Sequence, residues 1–281
     1  MNKVSPMLPA GKTQKIPENF QYRSAPQPLA CCLASASFAY GETNLGFIRD
    51  SNEDSYGYYA PSTCEPMLFA VADGIGGHGN GNFASRLLIR MLLAGWRDLG
   101  RDIPSDRKSL GNMLADLVVS CNRRIFELNE AADNAVPMGT TLAMLAVMPD
   151  FAVTVHLGDS RVYVLRGGKL IPLTQDHSYV ALLLQRGQIT KEQASSHPLS
   201  HVILRSVGPT VNAEPEVRLH ERRPGDRFLL CTDGVTTHLN DARINDILKS
   251  SGSAADAVRS MINASLRAGG RDNITAIGAF L

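Results

Sequence analysis

Five acidic segments share one setting, an apolar run that ends in a carboxylate, usually beside glycine. They are Asn52-Glu53-Asp54, Asp73-Gly74, Asp159 in HLGDSR, Asp233-Gly234 in FLLCTDG and Asp272 in GGRDN. A single Asp-Gly after a strand is an ordinary turn. Five such segments are a different matter, because a charge at a strand end beside the core needs a partner. Too few basic residues lie nearby to pair them all. Hard divalent cations would, since Mg²⁺ and Mn²⁺ prefer carboxylate, carbonyl and water oxygens. The neighbouring glycines let the backbone turn sharply and leave a carbonyl, such as that of Gly74, open to a metal. The seven histidines are scattered, with no HExxH and no His-x-His, so no zinc site is expected.

The glycines also admit a rival. Gly74, Gly76 and Gly79 match G-x-G-x-x-G between a strand and a helix, the setting of a dinucleotide-binding turn. That fold needs a second parallel strand after the helix, ending in an acid about 20 residues on. Here the chain runs from Trp96 through a polar, proline-containing stretch into another helix, and Asp73 would repel a pyrophosphate. There is no GxxxxGK loop either.

The elements that must position these acids are legible in outline. Ser35–Thr43 and Ser55–Ala60 read as short strands, and Met67–Ala72 as a buried one. Two amphipathic helices follow. Phe83, Leu87 and Met91 lie beside Ala84, Leu88, Leu92 and Trp96 on the first, and Leu110 to Leu128 form one stripe on the second. Strands are expected at Thr140–Val147, Phe151–His156, Arg161–Arg166, Lys169–Pro172, Arg227–Cys231 and Ile274–Phe280, with a Gly167-Gly168 hairpin turn. Thr174–Pro215 reads as mostly polar, with Thr190-Lys191-Glu192-Gln193 a capping box, and Asp241–Arg267 as the last helical region. Grouped strands and paired helices predict an α+β fold, sheet packed on sheet with helices outside.

Bulk properties exclude more than they assign. At 281 residues and net charge +1, no global field draws the chain to nucleic acid or to an anionic membrane. No apolar run reaches membrane-spanning length and no basic region precedes Pro28–Ala39, so neither a span nor a signal peptide is expected. The five cysteines (Cys31, Cys32, Cys64, Cys121 and Cys231) show no CxxC pair and read as reduced thiols of a cytoplasmic protein. Residues 1–34 carry five prolines and no hydrophobic period, and are expected to be a disordered tail before a domain at 35–281.

Taken together, seven segments resemble the type 2C, or PPM, metal-dependent protein serine/threonine phosphatases, especially bacterial members. They are GFIRDSNEDSY (46–56), LFAVADGIGGHGNG (68–81), GTTLAMLAV (139–147), HLGDSRVYVLRGGKLIPLTQDHS (156–178), HPLSHVILRSVG (197–208), GDRFLLCTDGVTTHL (225–239) and GGRDNITAI (269–277), in the family's order. The resemblance implies two packed antiparallel β-sheets flanked by α-helices on both outer faces. It implies two core Mn²⁺ or Mg²⁺ ions in a cleft at one end of the sheets, and a water activated by them that attacks phosphorus in line.

Carried over by position, Asp73 would bridge both ions, the Gly74 carbonyl would bind one, and Asp233 and Asp272 the other. Glu53 and Asp54 would act through metal-bound waters, and Asp159 with Asp233 would hold a third, weaker ion. Arg49 matches the phosphate-binding arginine, whose guanidinium grips two oxygens at once. His78 is five residues after Asp73, where bacterial members place a histidine that can protonate the leaving oxygen; the position after Asp-Gly is Ile75. His156, His177 and His197 read as structural. Residues 177–210 correspond to the variable flap, and Leu199, Ser200 and His201 depart from the basic or polar residues common there.

The implied activity is removal of phosphate from phosphoserine and phosphothreonine by a cytoplasmic monomer, opposing a serine/threonine kinase. Two other classes share the fold: a catalytically weak phosphoprotein-binding module, and a phosphohydrolase of small molecules. The first should have lost metal aspartates, whereas Asp73, Asp233 and Asp272 are all present. The second would share the metal centre.

Overall fold

The run at Met67–Ala72 is apolar throughout because the strand that carries it is covered on both faces. In the computed structural model, which describes residues 29–30, 38–62, 66–76, 80–132, 136–195 and 197–281, it forms β4 (Met67–Ile75) of a first sheet. That sheet runs β1 (Leu29–Ala30), β3 (Asp54–Tyr59), β4, β6 (Leu142–Val147), β7 (Phe151–Leu157), β10 (Glu216–Glu221), with β5 (Gly139–Thr140) on the far end of β4. The second runs β2 (Ala39–Asn44), β12 (Ile274–Phe280), β11 (Arg227–Cys231), β8 (Arg161–Arg166), β9 (Lys169–Pro172). Every pairing is antiparallel except that of β1 with β3.

Alternation along each strand sorts the core into layers. Leu68, Ala70 and Ala72 of β4, with Leu142 and Met144 of β6, face α1 (Asn80–Leu99) and α2 (Arg107–Ala132), where Leu88, Leu92, Trp96, Leu114 and Val118 meet them. Met67, Phe69 and Val71 face the other way, onto Val162, Val164, Phe228, Leu230 and Ile277 of the second sheet. Tyr163, Leu229 and Ala276 then face α6 (Asp241–Ser250) and α7 (Ala254–Arg267). The result is the expected helix–sheet–sheet–helix order. Ser253 caps α7 by accepting from Asp256 N at 3.1 Å, and Asn240 caps α6 by accepting from Arg243 N at 2.9 Å.

Several local expectations shift. The tail expected over 1–34 lies outside the described residues, apart from Leu29–Ala30, which pair with the open edge of β3 as β1. The strand expected at Ser35–Thr43 is described as β2 over Ala39–Asn44, residues 35–37 lying outside the described residues. The strand expected at Thr140–Val147 is interrupted at Thr141, whose amide turns to donate to Asp73 O at 2.8 Å. Within the stretch read as polar lie α3 (Tyr179–Gln185) and α4 (Lys191–Ser195), and β10 begins at its end. The capping box forms: Thr190 N donates to Gln193 Oε1 at 2.8 Å, and Gln193 N to Thr190 Oγ1 at 3.3 Å. The β8–β9 hairpin turns through Gly167 and Gly168 at φ 57° and 79°, the left-handed pair that such a turn demands. No helix among the described residues is long and apolar enough to cross a membrane.

Candidate metal centre

Antiparallel register places the first two acids. Asp54 opens β3 and Asp73 lies near the end of β4, and the two are direct cross-strand partners. The backbone around Asp73 is held from β5 and from the break between β5 and β6: Thr141 Oγ1 accepts from Asp73 N at 2.9 Å, and Thr140 Oγ1 donates to Asp73 O at 2.9 Å. Gly74 N donates to Glu53 O at 3.1 Å. The start of α1 sits on this turn, since a Cβ at Gly81 would lie 2.7 Å from Gly74 C and 2.9 Å from Glu53 Oε2. Glycine is required there by close approach rather than by an unusual backbone angle.

The second sheet delivers the rest. Asp233 follows β11 and begins the one-turn α5 (Asp233–Thr236), and Asp272 precedes β12. Two uncharged residues tie the sheets together. Thr232 Oγ1 donates to Asp54 Oδ2 at 2.8 Å and accepts from Thr275 N at 3.1 Å. Asn273 Oδ1 accepts from Glu53 N at 2.8 Å, while its Nδ2 donates to Leu45 O at 2.9 Å and Ser51 O at 3.0 Å. The loop so clamped carries Arg49, whose Nη2 donates to Asp272 Oδ2 at 2.8 Å. Asp159 enters from the end of β7, where Thr141 and Ser160 hydroxyls share a hydrogen bond of 2.7 Å.

The electrostatics are those of a site short of positive charge. Burial pushes Asp54 up to about 7, and the charges of Asp233 and Asp272 add to it. Burial raises Asp159 to about 7 as well, followed by the charge of Asp233. Asp233 is raised to about 6 by burial and then by Asp272. Asp73 is held well above the usual carboxylate range by burial and by Asp54, Asp233, Asp159 and Asp272. Burial likewise raises Glu53, against the pull of Arg49. Arg49 is shifted upward, chiefly by its bond to Asp272.

One oxygen of each of Asp54, Asp159 and Asp233 is buried with no hydrogen-bond partner among the described residues. A buried acceptor left unpaired costs about 1–3 kcal/mol, more when charged. An all-oxygen set with orphaned lone pairs suits hard divalent cations, which offset both the burial and the mutual repulsion. The residues present therefore fit a Mg²⁺ or Mn²⁺ centre.

Of the residues singled out from sequence, Arg49, Glu53, Asp54, Asp73, Gly74, Asp159, Asp233 and Asp272 converge on this end of the two sheets. His78 lies outside the described residues. Thr141, Thr232 and Asn273 were not anticipated; the last two adjoin Asp233 and Asp272 in CTDG and RDN, the only signal they carried. His177 stands just before α3, where its N donates to Gly158 O and its O accepts from Leu204 N, both at 2.7 Å. The His197 ring lies 6.0 Å from the Tyr179 ring, centre to centre.

Comparison with known proteins agrees with this geometry. The family model described as "Protein phosphatase 2C" matches residues 49–273. The protein phosphatase PhpP of Streptococcus pneumoniae is 35% identical over 234 residues, covering 83% of this chain and 93% of that protein. Among solved structures, the serine/threonine phosphatase of S. agalactiae superposes with a TM-score of 0.79 at 32% identity, covering 86% of this chain and 98% of that one. The catalytic domain of the phosphatase PstP, in complex with two manganese ions, gives 0.73 at 33% identity, covering 86% and 97%.

Proposed function

The chain belongs to the protein phosphatase 2C family of metal-dependent phosphoprotein phosphatases, and we propose that it hydrolyses phosphoserine and phosphothreonine in proteins at a binuclear Mn²⁺ or Mg²⁺ centre, opposing a serine/threonine kinase. The observation that carries this reading is the convergence of five aspartates from both sheets, three with a buried oxygen that has no partner. In this assignment Asp73 and the Gly74 carbonyl, with Asp233 and Asp272, hold the two core ions. Glu53 and Asp54 orient water beside them, and Asp159 with Asp233 takes a third, weaker ion. Bound cations supply a nucleophile at neutral pH and offset charge on the phosphoryl oxygens.

The chain's own groups do the rest. Arg49 sits at the rim, its side chain 55% exposed, so its guanidinium can turn from Asp272 to two phosphoryl oxygens of an arriving substrate. Thr232 and Asn273 keep the carboxylates and the Arg49 loop in fixed relation across the two sheets. Proton donation to the leaving serine or threonine oxygen is assigned to His78. The catalytic domain spans 35–281, acts as a cytoplasmic monomer, and uses residues 177–210 as the flap beside the site.

The test is turnover of a phosphothreonine peptide with Mn²⁺ and with EDTA, compared with a small aryl phosphate. Metal-dependent turnover with a higher kcat/KM on the peptide supports the assignment. Turnover confined to the small ester would replace it with a small-molecule phosphohydrolase, and none by a folded, metal-loaded chain with a binding module.

A further inference from the structure

A second cluster of metal-ligating side chains lies at the root of the flap, and it has a different chemistry from the aspartates. His156 is the next-to-last residue of β7, His177 stands just before α3, and Glu216 opens β10. His156 and Glu216 are direct cross-strand partners, so their side chains share a face. One donor atom from each of the three residues lies within 4.8 Å of the others.

Hydrogen bonding accounts for part of this cluster. His177 Nε2 and Glu216 Oε2 are 2.9 Å apart, and Glu216 Oε1 accepts from Arg218 Nε. It does not account for His156. That residue is 1% exposed, and both ring nitrogens are buried with no hydrogen-bond partner among the described residues. The Ser160 backbone is close enough to favour a ring proton, but makes no hydrogen bond of good geometry. Buried imidazoles normally find partners, and one left with none needs an explanation. Burial, and then the neighbouring His177, push His156 down to about 3, so its lone pair stays available at any physiological pH.

We propose that His156, His177 and Glu216 form a second metal site, selective for Zn²⁺ or a similar transition cation and separate from the carboxylate cage. Two imidazoles and one carboxylate are a zinc donor set, whereas Mg²⁺ takes oxygen ligands. Donors around a tetrahedral zinc ion stand about 3.3 Å apart, so closure needs shifts of at most about 1.5 Å. Only one Glu216 oxygen is needed, which leaves Arg218 its partner. Gly158 N–H meets His177 Nδ1 at 3.4 Å, a long bond that a change of tautomer gives up at little cost. The bound ion joins β7, β10 and the residue whose backbone links the Asp159 loop to the flap, so it fixes the flap root.

The test is equilibrium dialysis of the full chain against micromolar Zn²⁺ with millimolar Mg²⁺ filling the aspartate cage, followed by metal counting. The site predicts about one tightly held zinc in the wild type and in Asp233→Asn, reduced at least tenfold in His156→Gln and in Glu216→Gln. Circular dichroism checks each variant's fold, and Glu216→Gln, at the start of an edge strand, serves if His156→Gln does not fold. Absence of zinc from the wild type overturns the site. So does zinc that survives His156→Gln, or that is lost with Asp233→Asn, which would place the ion among the aspartates.

Discussion

Asp54 and Asp73 stand directly opposite each other across the β3–β4 pairing, two carboxylates on neighbouring strands, and the charge of Asp54 helps hold Asp73 above the usual carboxylate range. Like charges in that position destabilise a sheet, and burial deepens the cost. The metal-free chain is therefore expected to gain from losing one of them. Asp73→Asn should raise stability in EDTA by about 1 kcal/mol or more, the worth of one pKa unit, while lowering turnover by more than about 100-fold. Melting curves in EDTA and steady-state rates in Mn²⁺ read the two effects. A variant less stable than the wild type in EDTA would contradict the account of the strain.

The same strain fixes how metal binding depends on pH. Folding raises Asp54 and Asp159 to about 7 and Asp233 to about 6. The unfolded chain ionises its aspartates near about pH 4, so between there and about pH 7 the folded metal-free chain keeps protons that the unfolded chain releases. This cluster's contribution therefore falls as pH rises through that window. Cations bind the ionised forms and displace those protons, so their affinity rises over the same range. The increase in melting temperature caused by Mg²⁺ should be larger at about pH 8 than at about pH 5. An increase independent of pH would remove the aspartates from the site.

Arg49 bonds to Asp272 through one terminal nitrogen and exposes the rest of its head to solvent. Lysine keeps the charge but not the two-point grip. Arg49→Lys should lower kcat/KM by about 10- to 100-fold, the equivalent of losing one charge-assisted hydrogen bond, and leave the melting temperature nearly unchanged. A variant with wild-type kcat/KM would remove Arg49 from phosphate binding.

Gly81 makes a prediction against helix propensity. Within a helix, alanine normally gains up to about 1 kcal/mol over glycine. Here the added Cβ meets Gly74 C at 2.7 Å and Glu53 Oε2 at 2.9 Å, so α1 must retreat from the turn. Gly81→Ala should cost about 1–3 kcal/mol in urea unfolding and weaken Mn²⁺ binding, because the Gly74 carbonyl moves with its peptide. A stabilised variant with normal metal affinity would show that this contact is slack.

The legible parts of the chain are those whose signal is local. Met67–Ala72 is uniformly apolar because it is buried on both faces, and Leu110, Leu114, Val118, Cys121 and Ile125 keep a helical period because one stripe meets the sheet. The aspartates were visible because each stands at or beside one end of a strand, Asp54 and Asp272 at or just before the start of β3 and β12 and Asp73, Asp159 and Asp233 near or just past the end of β4, β7 and β11. β10 was not: Glu216–Glu221 is an edge strand with four charged or imidazole side chains, and Leu219 is exposed, so its alternation carries no apolar contrast. Thr232 and Asn273 act through tertiary hydrogen bonds spanning 178 and 220 residues of sequence. The cluster of His156, His177 and Glu216 was hidden in the same way, since it joins β7, the residue pair before α3 and β10 with no recurring spacing.

The most direct test of the central claim counts manganese and turnover together in the wild type and in Asp233→Asn, both shown to be folded. The account predicts two bound ions and EDTA-sensitive hydrolysis of a phosphothreonine peptide in the wild type, with both lost in the variant. Turnover by Asp233→Asn at the wild-type rate, or by the wild type in excess EDTA, would contradict it.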